Sequence, residues 1–127
     1  RVFSFRRKEE AEERDEISLL LERYEWVLVF NFSRYRNSSG QGGFKEISFD
    51  TDGKIGSGAN PNESRWRVEN GLLEILNSDS KIFSRFKYVE NKGRFEHTND
   101  QDTLSLRDQR IIRKHHHELY QDGNFQF

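Results

Sequence analysis

The period of the apolar positions changes once along the chain, near Tyr24. Before that point Ile17, Leu20, Leu21 and Tyr24 fall at i, i+3, i+4 and i+7, the stripe of one helix face. Upstream, Glu9, Glu10, Glu12, Glu13, Asp15 and Glu16 mix with Arg6, Arg7, Lys8 and Arg14. Glu10 stands four residues before Arg14, the orientation that supports a helix. The expectation is a helix over 6–23, solvated in its first half and docked through its stripe in the second.

After Tyr24 the period becomes two. Trp26, Leu28, Phe30 and Phe32 share one face of a strand, and Val27 and Val29 lie on the other, so both faces are expected to be covered. A polar Ser/Gly/Asn loop follows over Arg34–Gly43. Phe44–Phe49 forms the next strand, Asp52-Gly53 turns it, and Lys54–Ser57 returns. Beyond the loop around Pro61, Arg65–Val68 and Leu72–Leu76 flank Asn70-Gly71, the strongest hairpin signal in the chain. Lys81–Val89 is a long strand with Ile82, Phe86 and Tyr88 on one face and Phe83, Arg85 and Lys87 on the other. Asn91-Lys92-Gly93 turns into Arg94–Thr98.

The links are short after the first, and short links force antiparallel neighbours. The expected fold is mainly β: an antiparallel up-and-down meander of six to eight strands, curled into a small barrel because closure removes exposed edges, with an N-terminal helix. Residues 1–23 would be the amphipathic helix, 24–113 the β domain and 114–127 a polar tail. Two readings stand for 109–113: a closing strand, or a helix entered through a cap box at Ser105 and Asp108.

Composition fits a small sheet better than a bundle. Hydrophobic residues are 32% of 127 and mean hydropathy is −1.01. Eleven Phe, four Tyr and two Trp supply the missing apolar area, since each aromatic buries about 150–250 Å². The 21 basic and 22 acidic residues nearly cancel, so no field steers a polyanion and nucleic acid is disfavoured. Absence of cysteine removes disulfides, thiolate catalysis and cysteine zinc sites, and fits a cytoplasmic location. No apolar run is long enough to span a bilayer. The chain also lacks methionine, even at position 1, which reads as a piece of a longer protein.

The stretch Asp52-Gly53-x-Ile55-Gly56, Asn60-Pro61-Asn62-Glu63-x-x-Trp66, Asn70-Gly71-x-Leu73 and Ser84-Arg85-Phe86 resembles a small β module appended to bacterial glycosyltransferases and related surface-polysaccharide enzymes. The resemblance implies an accessory domain, with the transferase chemistry elsewhere in the same parent chain. The expected architecture is also similar to lipocalin-type barrels. Their first strand carries Gly-x-Trp, whereas here Tyr24 precedes Trp26, so that likeness is one of architecture alone and carries no function.

The candidate ligand site is Asn60, Asn62, Glu63, Trp66 and Arg85. Amides and a carboxylate can pair with sugar hydroxyls, and an aromatic face can stack on a sugar ring. The bland alternative for each is turn chemistry at Asn60, Pro61 and Asn62, backbone capping at Glu63 and a core position for Trp66, which shares a face with Val68. The Arg34–Gly43 loop could cover a barrel mouth. Gly53-x-x-Gly56-x-Gly58 reverses the dinucleotide-binding order and precedes no helix. His115-His116-His117 cannot all face one ion from a regular element. Asp50 and Asp52 lack the further ligands of a calcium loop. Asn31, Asn37 and Asn62 lie in N-x-Ser sequons. No cofactor or metal is implied.

The first functional expectation is therefore a non-catalytic accessory module that recognises a carbohydrate within a larger glycan-processing protein. The alternatives are a structural domain, packing on a catalytic partner or dimerising through Ile17, Leu20, Leu21 and Tyr24, and a lipocalin-like binder of a small apolar ligand.

Overall fold

A computed structural model describes residues 16–30 and 43–121 of the chain. Residues 16–23 form helix α1. Seven strands follow: β1 (Trp26–Phe30), β2 (Gly43–Ile47), β3 (Arg65–Glu69), β4 (Leu72–Leu76), β5 (Ile82–Val89), β6 (Arg94–His97) and β7 (Arg110–Arg113). Helix α2 (Lys114–Gln121) comes last. The expected helical segment 6–15 and the loop residues 31–42 lie outside the described residues.

The strands make one antiparallel sheet in the order β2-β1-β7-β6-β5-β4-β3, curled into a half-barrel. The meander from β3 to β7 runs strand to neighbouring strand, and β7 then docks beside β1. At Asn70-Gly71 both residues have positive φ, 53° and 76°, the conformation of a two-residue hairpin whose twist matches its strands. The segment after β2 spans from one sheet edge toward the other. It pairs with itself at Phe49 and Ile55 and with the start of β3 at Lys54 and Arg65, and Trp66 N–H donates to Gly53 O at 2.9 Å. The expected Lys54–Ser57 strand is thus reduced to these bridges.

Alternation puts at least one side chain from every strand onto the inner face. Trp26, Leu28, Ile47, Trp66, Leu73, Ile75, Phe86, Phe95 and Ile111 meet there with Phe49 and Ile55 in one cluster. Helix α1 closes this face with the expected stripe: Leu21 is fully buried, and Ile17, Leu20 and Tyr24 pack on the same cluster. Trp26 Nε1 donates to Leu21 O at 3.0 Å, satisfying a carbonyl at the end of the helix. Rings fill much of the inner volume, with Trp26 edge-on to Phe95 at 5.4 Å.

The outer face holds the principal departures from expectation. Val27, Val29 and Ile112 form a second buried cluster, so β1 is covered on both sides as its sequence implies. Residues 114–121 read as polar tail but form α2, which packs on β7 and β1. His117 is 2% exposed and its ring lies 4.3 Å from that of Phe44. Residues 110–113 resolve as strand, and Ser105 and Asp108 serve other purposes. Among the described residues no helix is long and apolar enough to cross a membrane.

Candidate functional site

The Asn60–Glu63 segment folds as a tight turn. Asn60 Oδ1 accepts the backbone N–H groups of Asn62 at 2.9 Å and Glu63 at 2.8 Å. The backbones of Asn60 and Glu63 bond to each other in both directions at 3.1 Å. Glu63 is 4% exposed. Its carboxylate accepts from Lys45 Nζ on β2 and from Asn60 Nδ2, and Lys45 also donates to Gly58 O at 2.8 Å. This lysine–glutamate pair ties β2 to the chain entering β3. The polar groups of Asn60 and Glu63 are therefore committed within the fold, while Asn62 is exposed.

Trp66 belongs to the core. It is 7% exposed, edge-on to Phe49 at 5.6 Å, and its Nε1 donates to Asp50 O at 2.9 Å. Its remaining exposure opens into a groove of about 370 Å³ between α1 and edge strand β3. Ser18 and Glu22 of α1, Thr51 of the turn, and Arg67 of β3 supply the polar walls; Leu19 and Val68 supply apolar ones. A hydroxyl-rich ligand with one apolar face finds matching chemistry there. Leu19 is 56% exposed, so the helix side of the groove is open.

Arg85 lies on the opposite face of the sheet. The register aligns Trp66, Ile75 and Ser84 inward and Arg67, Glu74 and Arg85 outward. Glu74, with a side chain only 6% exposed, accepts from Arg67 Nε and Arg85 Nε, both at 2.8 Å. Arg85 also bonds Asp100 at 2.8 Å and grips Asp102 through two nitrogens at 2.9 and 3.0 Å. Asp102 and then Asp100 raise the Arg85 pKa above its ordinary value. Thr98 and Arg85 hold the Asp100 carboxyl below the usual range, and Arg85 does the same for Asp102. The ladder fastens the 98–105 segment over β5, where Leu104 and Ser105 N–H also bond Phe83 O. Arg85 and Trp66 thus contribute to separate places, and the five expected ligand residues do not converge on one site.

His97 and Ser105 have the spacing of a base and a nucleophile but the wrong proton arrangement. Asn99 N–H donates to His97 Nδ1 at 2.8 Å, so Nδ1 carries no proton. In the neutral ring Nε2 then bears the proton and donates to Ser105 Oγ, 2.8 Å away. Ser105 Oγ donates onward to Leu106 O at 3.2 Å. Such a ring cannot take the serine proton. Burial lowers the His97 pKa, keeping the ring neutral near pH 7. The three adjacent histidines do not gather: among the described residues no group of three ligand side chains could hold a metal ion.

The sequence reading missed Glu74, although the signal was present. A two-residue turn at Asn70-Gly71 pairs Glu69 with Leu72, and counting outward sets Arg67 opposite Glu74. Glu22 and Thr51 carried no local signal, because only the packing of α1 against the 48–57 hairpin brings them to Trp66. No protein-family model, curated protein or solved structure matches the chain.

Proposed function

We propose that this domain is a non-catalytic accessory module that recognises carbohydrate in the groove between α1 and β3, serving a catalytic domain of the same parent chain. The observation that carries the reading is the lining of that groove: Trp66 at its base, with a carboxylate (Glu22) and two hydroxyls (Ser18, Thr51) around it, and Arg67, whose guanidinium is held by Glu74, at its rim. Sugars are bound by such planar and hydroxyl partners beside an apolar surface. The resemblance of Asp52–Phe86 to modules of surface-polysaccharide enzymes supports the same class of ligand. The lipocalin-like alternative has less support, because ring side chains occupy the inner face of the sheet.

A glycan-array screen of the domain, run beside Glu22→Gln and Thr51→Ala, tests this. Both side chains lie at the surface of the groove, so the variants keep the core. A saturable signal on one glycan class, lost in both folded variants, is expected. No signal above background, or one indifferent to both changes, removes the reading.

The assembly reading has one specific observation in its favour. Leu104 and Leu106, on one loop, are 60% and 55% exposed, more apolar surface than a solvated loop needs. Sedimentation at rising concentration tests it: self-association lost in Leu104→Ser/Leu106→Ser supports it, and a monomer throughout counts against self-assembly.

A further inference from the structure

Several cations of the sheet and of α2 are matched to carboxylates, whereas the exposed Arg65 and Lys87 have no ion pair among the described residues. Lys45 meets Glu63, Arg67 and Arg85 share Glu74, Arg94 meets Glu96, and Lys114 meets Glu46. Arg113, the last residue of β7, departs from this pattern. Its guanidinium carbon lies 3.8 Å from the centroid of the Tyr24 ring. Its Nε is buried without a hydrogen-bond acceptor. The residue opposite it on β1 is Trp26, so the sheet sets no acid against it. The guanidinium is therefore fixed by stacking and holds no counter-ion among the described residues.

Arg113 lines a groove of about 410 Å³ beside Tyr24. Arg23, Lys114 and His115 add basic groups to the wall, and Glu25 and Glu118 stand among them. Lys114 is already engaged by Glu46 at 2.9 Å, which leaves Arg113 and Arg23 as the cations there without an acid partner among the described residues.

We propose that this groove is a binding site for an oxyanion, a carboxylate or phosphoryl group on a small hydroxylated ligand, with Arg113 as its recognition residue. A planar guanidinium offers paired N–H donors that match the oxygens of either group. Stacking on Tyr24 fixes that plane before the ligand arrives, so little rotamer freedom is lost on binding. Glu25 and Glu118 repel a bare anion and accept hydrogen bonds from hydroxyls. A sugar acid or sugar phosphate is therefore held better than an inorganic ion. The site uses neither Trp66, Glu22 nor Arg67, so it stands or falls independently of the α1–β3 groove.

The test is an NMR titration of the domain at constant ionic strength, with inorganic phosphate and glucuronate as separate probes and chloride as the control. Saturable shifts of the Arg113 Nε–H signal and of the Lys114 and His115 amides are expected with at least one probe, tighter for the hydroxylated one. Response to glucuronate alone assigns the carboxylate class, and response to phosphate alone the phosphoryl class. Arg113→Lys keeps the charge and the stem over Tyr24 but loses the fork, and is expected to weaken binding about tenfold. Arg113→Gln, its fold checked by amide dispersion, is expected to abolish it. Shifts that match those of chloride, or that persist in folded Arg113→Gln, overturn the proposal.

Discussion

Removing Arg85 tests whether the ion ladder on the outer face holds the domain together. In Arg85→Ala the Glu74 carboxylate, 6% exposed, keeps only Arg67, whose side chain is 48% exposed. Breaking a buried pair costs about 3–5 kcal/mol, because one charge stays behind without its partner. The surviving Arg67 contact points to the low end of that range. The Asp100 and Asp102 pairs have carboxylates 44% and 61% exposed, and solvent screening leaves such surface pairs little weight. The expected loss is about 3–4 kcal/mol, a fall in Tm of about 10–20 °C for a domain of this size. Urea denaturation and thermal melting measure it. Amide exchange at Thr98, Leu104 and Ser105 is expected to accelerate more than at Leu73 or Phe95, because the 98–105 segment loses its anchor. The double variant Glu74→Leu/Arg85→Leu is expected to recover most of the loss, since apolar side chains often replace a buried pair without penalty. Stability of Arg85→Ala within about 1 kcal/mol of the parent would refute the reasoning, as would a double variant no better than the single one.

Three further outcomes follow from particular atoms. Gly58 has φ +81°, and a Cβ there would press into the Glu46 carbonyl oxygen, whereas Gly71, at φ +76°, has nothing nearby. Gly58→Ala is therefore expected to cost about 2–4 kcal/mol and Gly71→Ala about 1–2, measured by urea denaturation. Ser84 is fully buried and its Oγ has no partner among the described residues, so Ser84→Ala is expected to be neutral or stabilising by about 1 kcal/mol. His97, His116 and His117 all have pKa values lowered chiefly by burial from an ordinary 6.5. Below that value the unfolded chain binds more protons than the folded one, so stability is full above 6.5 and falls as pH drops through it, levelling once the folded rings are protonated. A chemical-denaturation series against pH is expected to show this limb above the separate loss from the depressed Glu96, Asp100 and Asp102. His97→Gln should flatten it in part, and an unchanged slope would contradict the role given to that ring.

The strands and most of their turns were legible because each rests on a local cause. Period-two alternation marks β1, β3 and β5, and Asn70-Gly71 can adopt positive φ cheaply. The α1 stripe of Ile17, Leu20, Leu21 and Tyr24 was readable for the same reason. Helix α2 was not, because Lys114–Glu118 carries no apolar residue, and the side chain it buries among the described ones is a histidine, His117. The competing readings at Ser105 and Asp108 had a similar origin: Ser105 bonds His97 and Asp108 bonds Asn99 across the 98–109 loop. The candidate site was legible only in part. The core reading of Trp66 follows from the face it shares with Val68. Separating Trp66 from Arg85 required knowing that β3, β4 and β5 pair in a register that sends the two side chains to opposite faces.

The most direct test of the binding-module account is to map a glycan identified on the array onto the folded domain by amide chemical shifts. Saturable shifts gathered at Ser18, Glu22, Thr51, Gly53 and Val68 are the predicted result. Shifts confined to other surfaces, or none at saturating glycan, would contradict a carbohydrate site between α1 and β3.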